Sequence, residues 1–149
     1  MPLALRPADL ADLAACRRLV DACGLPLGGL EHGFPGGYVV AVDEVLAGCA
    51  GVELYAGVGL LRSVAVAPAA RGQGLGERLT RGRIDHARAL RLESLWLLTT
   101  TASAYFARLG FAPVDRAAAP MSLRRSAEFA GVCPASATCM RLRLDRTPA

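Results

Sequence analysis

The sequence predicts a single α/β domain, residues 1–149, built on a mixed and mostly antiparallel sheet. Three observations carry this. The 149 residues are 53% hydrophobic, enough to bury one core and too apolar for disorder. Three apolar, β-branched runs, "YVVAV" (38–42), "LAGCAGVELY" (46–55) and "LLRSVAVA" (60–67), follow one another across short turns, which is the pattern of an antiparallel meander. Segments of helical period precede and follow that meander, and the mixture of the two periods defines the class. No internal repeat and no second domain is visible.

Each element has a local reason. "LAL" (3–5) is a short strand, and "RPAD" then opens a helix with Asp9 as its N-cap. Leu10, Leu13, Cys16, Leu19 and Val20 recur at helical spacing up to Cys23, and Gly24 stops the helix. "LPLGGLEHGFPGG" (25–37) is a glycine- and proline-rich loop, long enough to suggest a functional one. After the meander comes "RGQGLG" (71–76), then a helix from Leu75 to about Leu90 with Leu75, Leu79, Ile84, Ala87 and Leu90 on its apolar face. Arg83 falls inside that face without a reason in the sequence. "SLWLLT" (94–99) reads as a buried strand, "ASAYFARL" (102–109) as a short helix ended by Gly110, and "FAPV" (111–114) as a strand. "SLRRSAEF" (122–129) is a candidate short helix, and "TCMRLRL" (138–144) is the last strand, alternating apolar residues with arginine.

Composition removes several function classes. The net charge is +4, and all seventeen basic residues are arginines, so lysine chemistry such as a P-loop or a Schiff base is excluded. The arginines are scattered rather than clustered, which argues against a nucleic-acid surface. Five cysteines with no CxxC pair, and two histidines, argue against a metal site and fit a reduced, cytoplasmic chain. "MPLALRPADLADL" carries charge too early for a secretory leader, and no apolar run reaches the ~18 residues that would span a bilayer.

The glycine loop is the chemical signal. A helix N-terminus leaves amides unpaired and carries partial positive charge, so it can hold phosphate. Glycine keeps side chains out of the ligand's way. The dinucleotide fingerprint fails, because after Gly72 and Gly74 its third glycine would fall at Glu77. What remains is R/Q-x-x-G-x-G/A, met by Arg71, Gly74 and Gly76. The competing reading is a tight strand-to-helix turn that binds nothing.

In context this stretch resembles the GNAT superfamily of acetyl-CoA-dependent N-acetyltransferases. The resemblance covers almost the whole chain: the "RPAD" opening, the meander, "SVAVAPAARGQGLG", the long helix, the buried strand and "YFARLGF". It implies a sheet splayed at the cofactor site with helices on both faces, acetyl-CoA as co-substrate, and a small-molecule amine as acceptor, often with a homodimer. Carried over, Val64, Ala65 and Val66 would offer backbone groups to pantetheine and thioester. The amides of Arg71, Gly72, Gln73, Gly74, Leu75 and Gly76 would hold the pyrophosphate. The Val64 amide is the candidate for polarising the acetyl carbonyl, a role worth ~3 kcal/mol in comparable sites. "LLRSVAVAPAARGQGLG", "LWLLTTTASAYFARLGF" and "FAGVCPASATCMRL" are similar to bacterial arsenic-resistance N-acetyltransferases, and also to the acetyltransferase domain of N-acetylglutamate synthases.

The catalytic residues depart from the family pattern. Many members carry a tyrosine four residues before the glycine of "GF"; here that position is Phe106, and Tyr105 precedes it. On a helix the offset turns the side chain by ~100°. Tyr105 is therefore either the acid that protonates the thiolate or a core residue. Some relatives place a glutamate where this chain has Leu60, and Glu53 on the neighbouring strand is the substitute base, facing away from Val52 and Leu54. Glu31 and His32 are further candidates. For the acceptor, Arg62 is read as an anion clamp beside Ser63, and Thr99 bonds pantetheine or acceptor, or else caps the next helix. Cys133 lines the acceptor pocket or is a buried structural thiol. The rival class is a CoA-binding regulatory or sensor module without catalysis. A third is an arsenic- or metal-binding protein using Cys133 and Cys139.

Overall fold

A computed structural model describes residues 4–34, 37–43 and 45–144. Seven strands form one sheet, β1 (Ala4–Pro7), β2 (Tyr38–Asp43), β3 (Val45–Tyr55), β4 (Val58–Val66), β5 (Ser94–Thr99), β6 (Ala112–Pro113) and β7 (Thr138–Arg143). Their order across the sheet is β1-β2-β3-β4-β5-β7-β6. Among the described residues, β4 with β5 is the only parallel pair; the others run antiparallel, including the predicted β2–β3–β4 meander. The helices are α1 (Leu13–Ala22), α2 (Leu75–Ala89), α3 (Ser103–Arg108) and the single turn α4 (Met121–Arg124).

Strand alternation sends neighbouring residues to opposite faces. Tyr38 and Val40 join Cys16, Leu19 and Val20 of α1 on one face, whereas Val39 and Ala41 join Leu75 and Leu79 of α2 on the other. The same alternation in β5 sends Leu95 and Leu97 toward α2 and Phe106 of α3. Trp96 goes to the α1 side, where Ala119 and Leu123 of the tail cover it. Both faces are therefore roofed, and a polar side chain on a central strand is buried whichever way it points.

The start of α1 is built as Asp9 implied. Asp9 Oδ1 accepts from the amide of Ala11, and Asp12 Oδ2 accepts from the amide of Asp9, a reciprocal box that satisfies two otherwise orphaned donors. A 3₁₀ turn, Leu10–Asp12, precedes the helix proper. Arg6 grips Asp12 with two bonds of 2.8 Å, which ties β1 to this entry and holds the Asp12 carboxyl at about 2. Within 25–37 the described residues include a 3₁₀ turn at Leu30–Gly33; of the first predicted strand, Leu3 lies outside the described residues. Arg83, unexplained by the sequence, reaches from α2 to the carbonyl of Gly37 at 3.4 Å. The predicted helix over 122–129 is instead the turn α4 followed by a π-turn at Glu128–Val132, kinked at Gly131 with φ 147.

Tyr38 pairs with Gly51 across β2 and β3, and its fully buried ring lies flat against the glycine. A Cβ there would sit 2.2 Å from Tyr38 Cζ. Gly51→Ala is accordingly expected to lose about 1–3 kcal/mol by overpacking. The measurement is a urea melt at constant m value; an unchanged midpoint would show that the ring has room to move.

Candidate active site

The site begins where β4 leaves β5. Their ladder has only three rungs, Val58 to Ser94, Gly59 to Leu95 and Leu60 to Trp96. Beyond Leu60 both strands continue, to Val66 and to Thr99, without pairing. A bulge forces the separation. Cys49 faces Ala65 and Gly51 faces Arg62, so Ser63 and Val64 together oppose Ala50. Ser63 adopts φ 59, a conformation uncommon outside glycine. The extra residue also resets the alternation: Leu61 and Val64 both turn to the α2 face, and Ala65 returns to the α1 face.

The gap opens into a cavity of about 780 Å³. One wall is Leu61 to Val64 with Val66; the other is Leu97 to Ala102, with Tyr105 and Phe106 behind. Its floor at one end is the glycine loop. Gly72 and Gly74 adopt φ 81 and 75, and Gly74 is the N-cap of α2 with no side-chain cap. The first helical bond runs from the amide of Arg78 to the carbonyl of Gly74, leaving the amides of Leu75, Gly76 and Glu77 ahead of it. Arg71 departs from its expected role, since its amide donates to the Pro68 carbonyl at 3.3 Å and is not free for a phosphate; its side chain spans the loop's edge, donating to the carbonyl of Val66 at 3.1 Å and reaching Cys23 Sγ at 3.6 Å.

The opposite end holds three buried charges. Arg62 is 3% exposed, Glu53 6% and Glu128 3%. The Arg62 guanidinium pairs with Glu53 Oε2 through NH1 and with Glu128 Oε2 through Nε, each at 3.3 Å. It also donates to the carbonyls of Gly28 and Pro26 at 2.8 and 3.1 Å and to Ser63 Oγ at 3.1 Å. Tyr55 donates to Glu53 Oε1 at 2.6 Å. Burial pushes the Glu128 carboxyl up to about 7, with Arg62 opposing and Glu53 reinforcing the shift. Burial likewise raises the Cys133 thiol to about 12.

The structure brings most of the predicted residues to one cavity. Arg62, Ser63, Val64, Val66, Arg71, Gly72, Gly74, Leu75, Gly76, Thr99 and Tyr105 all line it. Ala65 turns its side chain into the α1 core, and Gln73 is exposed on the loop. Arg62 is not a clamp standing free for an anion; its N–H groups serve Glu53, Ser63 and two loop carbonyls. Glu53 faces away from Val52 and Leu54 as expected, but it is buried and stands outside the cavity wall, whereas Leu54 is 60% exposed. Thr99 Oγ1 accepts from the amide of Ala102 at 3.0 Å, so it shapes the turn into α3 while lining the cavity. The Tyr105 hydroxyl is buried without a hydrogen-bond partner and lies 3.4 Å from where a Gly76 Cβ would stand. Phe106 lines the cavity with no polar group to offer. Glu31 pairs with Arg17 at 2.7 Å on the surface, and the side chain of His32 lies outside the described residues. Among the described residues no group of three His, Cys, Asp or Glu side chains is placed to hold a metal. The residue that sequence reasoning missed is Glu128; its one signal was a lone acid inside the apolar stretch "AEFAGV".

Removing Arg62 would leave two carboxylates buried and unpaired. Arg62→Met is expected to cost about 3–5 kcal/mol. The loss should be largest above about pH 7, where the Glu128 carboxyl is ionised, and shrink below it as that carboxyl takes up a proton. Chemical denaturation at several pH values measures it; a pH-independent loss would contradict the charge account.

The comparisons with known proteins agree with this geometry. The acetyltransferase (GNAT) family profile matches residues 12–111, and the chain belongs to that family. Amino-acid acetyltransferase of Neisseria meningitidis (serogroup A) is 30% identical over 123 residues, 78% of this chain. The chain spans only 28% of that relative's length. N-acetylglutamate synthase from Neisseria gonorrhoeae, solved with coenzyme A and N-acetyl-glutamate, superposes with a TM-score of 0.82 at 26% identity, over 97% of this chain and 35% of that one. A Mycobacterium tuberculosis protein solved in complex with CoA superposes with a TM-score of 0.79 at 25% identity, over 95% of this chain and 99% of that one.

Proposed function

We propose, with membership of the GNAT acetyltransferase family as the premise, that the chain moves acetyl from acetyl-CoA directly to the amine of a small amino-acid-like acceptor. One observation carries the reading: a single cavity runs from the bare amides of α2 to the buried acid–arginine cluster. That is the layout a thioester needs when its diphosphate is held at one end and its acetyl group is met by an amine at the other. The amides of Gly72 to Gly76 hold the diphosphate, as a helix N-terminus can, whereas the Arg71 amide already donates to the Pro68 carbonyl. The unpaired stretch of β4 meets the pantetheine arm as a neighbouring strand would. The Val64 amide polarises the thioester carbonyl. Positioning supplies several kcal/mol of the barrier without an acyl-enzyme.

The acceptor class follows the relatives' names, which specify amino acids and N-acetyl-glutamate. A narrower acceptor, an organoarsenical or phosphinic amino acid, is supported by the similarity of "FAGVCPASATCMRL" to that branch and by Cys133 on the cavity wall. The setting is cytoplasmic, in keeping with five unpaired cysteines, and the family resemblance supports a homodimer. One observation favours the sensor alternative: Phe106 offers no proton where the family's usual tyrosine stands.

The direct test is release of CoA thiol from acetyl-CoA with a panel of amino acids that includes arsenical and phosphinic ones. Binding without release by any amine would favour the sensor. Gly74→Val places a β-branched side chain at φ 75 in the open cradle, and acetyl-CoA affinity is expected to drop at least about tenfold, some 1.4 kcal/mol. Wild-type affinity in calorimetry of the folded variant would remove the cradle. Tyr105→Phe is expected to lower kcat by about tenfold or more at saturating acetyl-CoA, the lower range of a lost proton donor. A rise in KM alone would instead make Tyr105 a holder of cofactor.

A further inference from the structure

We propose that Glu128 is the general base of the transfer and that the Glu53–Arg62 pair holds it in place and sets its affinity for a proton. This rests on the acetyltransferase reading above. Glu128 is on the cavity wall, beside Arg62, Ser63 and Cys133, at the end away from the glycine loop. Glu53 is not on that wall, and its two oxygens are taken by Tyr55 and Arg62. Arg62 is pinned by two loop carbonyls and cannot follow a substrate. Glu128 meets Arg62 through one oxygen, and its carboxylate accepts from the Cys133 thiol, itself on the cavity wall. Of the three charged side chains, Glu128 is thus the carboxylate that faces the cavity.

Charge counting says what it faces. Two carboxylates and one guanidinium sum to minus one when all are ionised. A net negative charge in a buried site is costly unless a cation joins it. An acceptor amine arrives as that cation, an ammonium. The groups packed around Glu128 are Arg62 from β4, Glu53 and Tyr55 from β3, Tyr38 from β2 and Cys133 from the tail. Tyr38, Tyr55 and Cys133 are all pushed upward and stay neutral, so the balance is set by Arg62 and Glu53 alone. A carboxyl that titrates near neutrality is matched to proton removal at working pH.

The step balances. The ammonium gives one proton to Glu128, and the freed lone pair forms the C–N bond at the acetyl carbon. The C–S bond then breaks with its electron pair on sulfur. Tyr105, on the cavity wall, gives its hydroxyl proton to the departing thiolate and takes the second nitrogen proton in return, giving CoA thiol and the amide. Glu128 returns its proton to solvent.

The test is kcat/KM against pH for wild type, Glu128→Gln and Glu53→Gln, with two acceptors whose amines differ in basicity. The wild-type acid limb should lie near 7 and stay there for both acceptors. Glu128→Gln should lower kcat/KM by about 10²–10⁴-fold and lose the limb, with acetyl-CoA affinity unchanged. Glu53→Gln should move the limb to lower pH while turnover persists, because a like charge has gone. A readout without turnover is stability. The folded chain binds a proton at Glu128 up to about 7 and the unfolded chain only to 4.5. This group's favourable contribution is therefore full below 4.5 and lost as pH rises toward 7. The Glu128→Gln variant should gain on wild type across that window. Turnover within about threefold of wild type in Glu128→Gln, a limb that tracks acceptor basicity, or a flat stability difference would overturn Glu128 as base. Wild type that binds acetyl-CoA yet acetylates no amine would overturn the function reading as well, so the two failures are told apart.

Discussion

Everything at the site depends on an interrupted hydrogen-bond ladder. Two parallel strands with apolar sequences have every reason to pair along their length, and β4 and β5 stop after Leu60 and Trp96. The cause is one residue too many on β4, with Ser63 held in the left-handed region. That conformation is unfavourable for serine, by about 1 kcal/mol or more, and is kept only because its surroundings determine it. Arg62 Nε donates to Ser63 Oγ, and the Cys49 thiol donates to its carbonyl at 3.4 Å. The bulge is bolted from both sides, and the cavity is its consequence.

The same bulge explains why a charge cluster exists in the core. Arg62 is the last residue of β4 in the original alternation, so it faces the α1 side, under the loop at Pro26 to Gly28 and next to the tail. An arginine buried there requires anions, and Glu53 and Glu128 supply two. The arrangement overshoots neutrality by one. With both carboxyls ionised that surplus is a cost of burial, and under the proposed function it would favour a cationic reactant, a trade that often marks functional sites.

Much of the fold was legible because its local rules agree. Asp9 before a helical run, Gly74 before another, and β-branched runs between turns each point to one structure. The glycine loop was legible for the same reason, since bare amides follow from chain geometry and not from packing. The proposed acid–base residues were not. Alternation correctly opposed Glu53 to Val52, yet it cannot say which face is wet, and on a sheet roofed on both sides neither is. Leu54 is exposed because β3 is nearing its end. Glu128 escaped because it sits in an irregular tail turn with no period to read, and its burial is decided by Arg62, sixty-six positions earlier. Tyr105 and Phe106 were misplaced relative to the family pattern, and only the packing shows both on the wall.

The unpaired stretches of β4 and β5 have one more implication. Unsatisfied strand edges usually invite other chains to add to them; here the invitation is internal, shielded by α2, α3 and the tail. A thioester arm that completed the ladder, as proposed, would become a piece of the sheet, and its occupancy would enter the folding equilibrium by mass action. Under the proposed function, resistance to heat and proteolysis would then be partly a property of the surroundings: abundant acetyl-CoA would prop the fold, and scarcity would expose it to turnover.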